Sequence, residues 1–108
     1  MGRGVPEMTK FAIPTPLGIC VRTSEGYWQK LIIKHPDIAA LEAKVIETLT
    51  QPDEIRQSNC DPNIILFYLT LRTKRWVVVV VRRLNGDGFV ITAYQTDAIK
   101  EGDTIWRK

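Results

Sequence analysis

The side chains of this chain that could carry chemistry are few, and that scarcity narrows what the chemistry could be. His35 is the single histidine, and imidazole is the one side chain whose ordinary titration falls near neutral pH. It stands directly before Pro36, at the end of a stretch with helical spacing. It therefore reads either as a helix-capping residue or as a proton-transfer group, the second needing a cationic, hydrogen-bonding surface nearby. Such a surface is available in Arg82, Thr92 and Tyr94. Thr92 and Tyr94 are two apart on an extended segment and point the same way. Arg82 joins them if the connection consumes Leu84 to Gly88, whereas a two-residue Asn85-Gly86 turn puts Arg83 on that side instead. Arg72, Lys74, Arg75, Arg82 and Arg83 lie around the same hairpins, with Tyr68 on the adjoining strand. Basic residues beside aromatics suit phosphate contact and base stacking, and equally a solubilising rim.

Other chemistries lack their residues. There is no GxxxxGK[ST] loop, HExxH, GxSxG or Cys/His metal spacing, so neither a metal nor another cofactor is expected. Gly86-Asp87-Gly88 lies between two strand-like runs and opens no helix, which removes a dinucleotide-binding reading. Asp53 and Glu54 read as an ordinary carboxylate pair. Cys20 and Cys60 form no CxxC and read as two thiols of a reducing compartment.

The elements that would position these residues follow from periodicity. Met1 to Pro16 holds two glycines and three prolines and reads as a flexible arm (1–16), leaving 17–108 as a single domain. Leu17 to Val21 is β-compatible. Thr23 or Ser24 offers an N-cap, and Tyr27, Trp28, Leu31 and Ile32 follow at helical spacing, predicting a helix over about 25–34 with Tyr27 and Trp28 in its core. Ile38, Leu41, Val45, Ile46 and Leu49 make one apolar stripe, predicting a second helix from Asp37 to Pro52. Glu54 to Gln57, Ile64 to Leu71, Arg75 to Arg82 and Phe89 to Tyr94 read as strands, with Asn85-Gly86 a strong turn signal. Asp97 to Lys108 reads as loop or tail. Five consecutive valines imply a central strand covered on both faces. Helices first and an antiparallel meander second predict an α+β fold, two N-terminal helices on a roughly four-stranded antiparallel sheet.

At 108 residues, 44% hydrophobic and 25% charged, the composition is that of an ordinary globular domain. The longest apolar run, Val77 to Val81, is far below the ~20 residues of a membrane span, and no secretory leader is evident, so a cytoplasmic location is expected. Net charge is +3 with a pI near 9.0, compatible with a polyanionic partner.

The order of features resembles a known group. Tyr27-Trp28 through Lys34-His35-Pro36, then Gln51-Pro52-Asp53-Glu54, Val80-Val81-Arg82 and Ile91-Thr92-Ala93-Tyr94 are similar to the small phage and bacterial branch of the barnase–EndoU–colicin–RelE-like (BECR) nucleases. The likeness covers about residues 20 to 106 and rests on order and spacing more than on any one motif. It implies the α+β fold above and metal-independent RNA cleavage by attack of a 2′-OH on the adjacent phosphorus. By that resemblance His35 is the acid or base, Arg82 stabilises the phosphorane oxygens, and Thr92 and Tyr94 hold the phosphate. The opposing proton-transfer role falls to Lys34, Tyr94 or a less obvious group, and Lys34, Tyr68, Arg72, Arg75 and Arg83 contact substrate. An antitoxin or immunity protein is then an expected partner beside RNA. Two other functions fit the same residues: a non-catalytic RNA- or protein-binding module, and a homodimer paired through an exposed strand.

Overall fold

In the computed structural model, residues 8–108 are described. In chain order they form β1 (Thr9–Pro14), β2 (Cys20–Ser24), α1 (Glu25–Lys34), α2 (Pro36–Ala39), α3 (Glu42–Thr50), β3 (Glu54–Gln57), β4 (Ile64–Arg72), β5 (Arg75–Leu84), β6 (Asp87–Thr96) and β7 (Asp103–Arg107). These seven strands make one sheet in the order β1-β2-β6-β5-β4-β3-β7. All neighbours are antiparallel except β2 and β6, which run parallel.

The expected pair of helices on a four-stranded antiparallel sheet is therefore replaced by a mixed, sheet-dominated fold with three short helices. Three segments account for the difference. Of the expected arm, residues 1–7 lie outside the described residues, and Thr9–Pro14 form an edge strand with Phe11 buried. The expected C-terminal tail contains β7, which pairs with β3. Arg56 holds the approach to it, donating from Nε to the Glu101 carbonyl (2.8 Å) and from Nη2 to the Gly102 carbonyl (2.6 Å). Gly102 has φ +78, and a side chain there would run into the Gln57 carbonyl. A purely local reading of polar residues misses a strand stabilised by contacts some 45 residues away.

The third difference is the second helix. Pro36 starts α2 at its first turn, where its missing N–H is no loss. The helix then breaks at Leu41, whose φ −110 and ψ 21 leave the helical region. The apolar stripe is continuous in sequence, but its two halves have different targets: α2 packs on β6, and α3 on β4 and β5. One straight helix cannot serve both. The first helix forms as its spacing predicts. Ser24 Oγ accepts from the Tyr27 N–H (3.1 Å), and Trp28 and Leu31 are buried.

β5 lies in the middle of the sheet. Val77, Val79 and Val81 face the helices, fully buried with Ile65, Phe67, Val45 and Leu49. Val78 and Val80 face the other side, where Leu66, Tyr68, Trp76, Tyr94 and Ile99 form a second, smaller cluster. Ile99, from the segment between β6 and β7, closes part of this second face. The rest of it is open.

Candidate functional site

The β5–β6 hairpin decides which side chains meet on the open face. Its turn is Asn85-Gly86, with φ +49 and +86, the two positive values of a tight hairpin turn. Leu84 then pairs with Asp87, Arg82 with Phe89, and Val81 with Val90. Uninterrupted, this register would send Thr92 and Tyr94 to the helix side, away from Arg82. A bulge intervenes between Val80 and Val81: Val80 pairs with Thr92 and Val78 with Tyr94, leaving Ile91 as the extra residue. The shift restores parity. Arg82, Thr92 and Tyr94 share the open face, and Arg83 goes to the helix side opposite Gly88. Arg83 is half-buried there with its Nε unpartnered among the described residues, so it is withdrawn from the surface expected to contact substrate.

The bulge has an anchor. Tyr27 Oη donates to the Ile91 carbonyl at 2.7 Å, so the tyrosine expected in the helix core is 41% exposed and ties α1 to β6. This contact is possible because β2 pairs with β6 only as far as Phe89, leaving the rest of that edge to the helices. Gln95 Nε2 donates to Asp37 Oδ2 at 2.7 Å further along. Between these two ties, α1 ends at His35, whose N–H bonds the Leu31 carbonyl (2.8 Å). The half-buried His35 ring lies 6.4 Å from the Tyr94 ring, centre to centre, tilted by 38°. Lys34 beside it is exposed.

Tyr94 also borders a hollow of about 150 Å³ lined by Tyr68, Thr96, Asp97, Lys100 and Glu101. Burial, and after it the Glu101 carboxylate, push the Tyr94 phenol above its ordinary value of 10.0. It keeps its proton throughout the neutral range. Tyr68 is pushed up to about 12, chiefly by burial, and at 2% exposure it lies beneath this surface and offers no ring face for stacking.

The remaining site residues are spread out. Arg82 and Tyr94 are opposite register positions four apart on β5, about 13 Å along the strand, with Thr92 midway. Arg82 is held on the far side by Asp61 at 3.7 Å. Arg72 and Arg75 flank the β4–β5 turn, with Arg75 seven residues from Arg82, or about 23 Å. The single basic cluster expected from sequence is thus two patches at opposite ends of the ladder.

Two residues that sequence reading left out complete the Arg82 end. Arg22 and Arg82 both pair with Phe89, from opposite sides. The Arg22 guanidinium carbon lies 6.0 Å from the Phe89 ring centre and its Nη2 3.2 Å from Asp87. Together with Tyr27, Val90 and Ile91 they line a cleft of about 400 Å³ where β2 and β6 part. The only local signals are an arginine inside CVRTS and an aromatic at the solvent-facing start of FVITAY; their meeting depends on a parallel pairing between segments 65 residues apart.

Among the described residues no three His, Cys, Asp or Glu side chains gather where they could hold a metal ion, and no helix is long and apolar enough to cross a membrane. No family model, curated protein or solved structure matches the chain, so its chemistry must be argued from these side chains.

Proposed function

We propose that the protein is a metal-independent endoribonuclease whose reaction centre is the His35–Tyr94 end of the open sheet face. The observation that carries this reading is the His35 ring set 6.4 Å from Tyr94, on a face that Tyr94 shares with Thr92 and Arg82. One phosphodiester can touch both rims of that gap. His35 takes the proton of the ribose 2′-OH as the 2′-oxygen forms its bond to phosphorus. The bond from phosphorus to the 5′-oxygen breaks, and the Tyr94 phenol supplies the proton to that leaving oxygen. The products are a 2′,3′-cyclic phosphate and a 5′-hydroxyl. A phenol, even with a raised pKa, remains a far stronger acid than an alcohol, so the transfer to the leaving alkoxide is downhill. Thr92 hydrogen-bonds the same phosphate.

Arg82 has a different role from the one implied by resemblance. About 13 Å from Tyr94 along the strand, it holds a neighbouring phosphate of the same RNA strand, while Lys34 precedes His35 in the chain and Lys100 lines the hollow that Tyr94 borders. A second reading, in which the face binds RNA without cleaving it, is favoured by the register that sets the Arg82 guanidinium four residues away from Tyr94 along β5.

The test incubates purified protein with single-stranded RNA in EDTA and compares wild type, His35→Ala, Tyr94→Phe and Arg82→Ala. Cleavage falls about a hundredfold or more in the first two, while Arg82→Ala raises KM more than it lowers kcat. Equal cleavage by wild type and His35→Ala removes the assigned roles. Salt-sensitive binding with no wild-type turnover selects the binding module.

A further inference from the structure

The cleft at the Arg82 end has the make-up of a ligand site in its own right. Its volume of about 400 Å³ falls at the lower end of small-ligand sites, roughly 300–1,000 Å³. Its walls are apolar and aromatic (Tyr27, Phe89, Val90, Ile91), and its rim carries two guanidiniums, Arg22 and Arg82. Thr23, only 6% exposed, also lines it, and its hydroxyl has no hydrogen-bond partner among the described residues. Phe89 is 40% exposed, so its ring is accessible from the cleft.

We infer that this cleft is a nucleotide subsite, in which one base stacks on Phe89 and its phosphate is gripped between Arg22 and Arg82. An aromatic face between two cations is the combination that single-stranded nucleic acid engages. Asp87 and Asp61 hold the two guanidiniums at 3.2 and 3.7 Å; both pairs are solvent-exposed and therefore weak, so a phosphate displaces them with little loss. Aliphatic or acyl ligands of similar size would find no use for the stacked arginine, and a bare anion none for the apolar wall. The inference deepens the reading proposed above, since it places one nucleotide of the bound strand about 13 Å from the reaction centre, but it stands on different side chains.

The experiment titrates the full chain with nucleoside 5′-monophosphates, the matching nucleosides and inorganic phosphate, following amide chemical shifts. Monophosphates bind more tightly than either fragment, and the shifts centre on Arg22, Tyr27 and Phe89. Phe89→Ala weakens binding about tenfold, and Arg22→Ala removes the preference for the phosphorylated form. Unchanged affinity in both Phe89→Ala and Arg22→Ala, or shifts confined elsewhere, overturns the inference. Both residues are exposed, and an unchanged melting temperature certifies the variants. A wild-type protein that binds monophosphates in the cleft yet leaves RNA intact overturns the nuclease reading alone. One that cleaves RNA with no nucleotide in the cleft overturns the subsite alone.

Discussion

The two faces of the sheet are made by the same strands and treat their residues differently. On the helix side Val77, Val79, Val81, Ile65 and Phe67 are completely buried, and the packing there is apolar. On the open side the alternate residues of the same strands include Arg82, Thr92, Tyr94, Tyr68 and Glu54, and Ile99 closes part of that face. One face carries stability and the other is left free for polar chemistry. A β-strand allows this because its side chains alternate. The bulge at Ile91 brings Thr92 and Tyr94 to the same side of that division as Arg82.

Breaking the helix side gives the largest effect. Phe67→Ala, at a fully buried position, is expected to lower unfolding free energy by about 3–5 kcal/mol, measured by denaturant titration, whereas Thr92→Ala on the open face changes it by less than about 1 kcal/mol. If both lose stability equally, the division of labour between faces is wrong. His35→Ala sharpens the contrast from the other side: a hundredfold loss of cleavage is about 2.7 kcal/mol of barrier, with the melting temperature held.

Glu54 tests whether the open face also stores stability in charge. Its carboxyl is largely buried between Thr104, Arg56 and Arg107. Burial alone would raise its pKa, but the hydrogen bonds from Thr104 and Arg56 and the charges of Arg107 and Arg56 outweigh it, so the folded-state value lies below the ordinary 4.5. The unfolded chain therefore takes up the proton first as pH falls. The contribution is fully present above about 4.5 and drains away below it, as pH drops through the depressed folded value. Glu54→Gln should cost about 2 kcal/mol at pH 7, and the gap to wild type should close in thermal melts at progressively lower pH. A gap constant with pH would show that packing, not ionisation, matters at this position. Tyr27→Phe, which removes the hydrogen bond to the Ile91 carbonyl, costs less than Glu54→Gln: about 1 kcal/mol of stability, with faster amide exchange at Ile91 and Thr92 as the readout.

Local chemistry alone made several elements legible. Ser24 and the Tyr27–Trp28–Leu31–Ile32 spacing specify α1, the β-branched runs specify β4, β5 and β6, and five valines specify a central strand, because each of these depends on propensity and period within about ten residues. The tertiary structure alone decided the rest. A bulge inserts one residue with no mark in composition, so the register could not say whether Arg82 or Arg83 would join Thr92 and Tyr94. The break at Leu41 follows from two packing targets, β7 from the side chain of Arg56, and the Arg22–Phe89–Arg82 row from a parallel pairing across most of the chain. His35 meets Tyr94 for the same reason: β2 stops short along β6, and the helices occupy the edge it leaves. Contacts between distant segments are set by which surfaces remain to be covered, and that information exists only once the chain has folded.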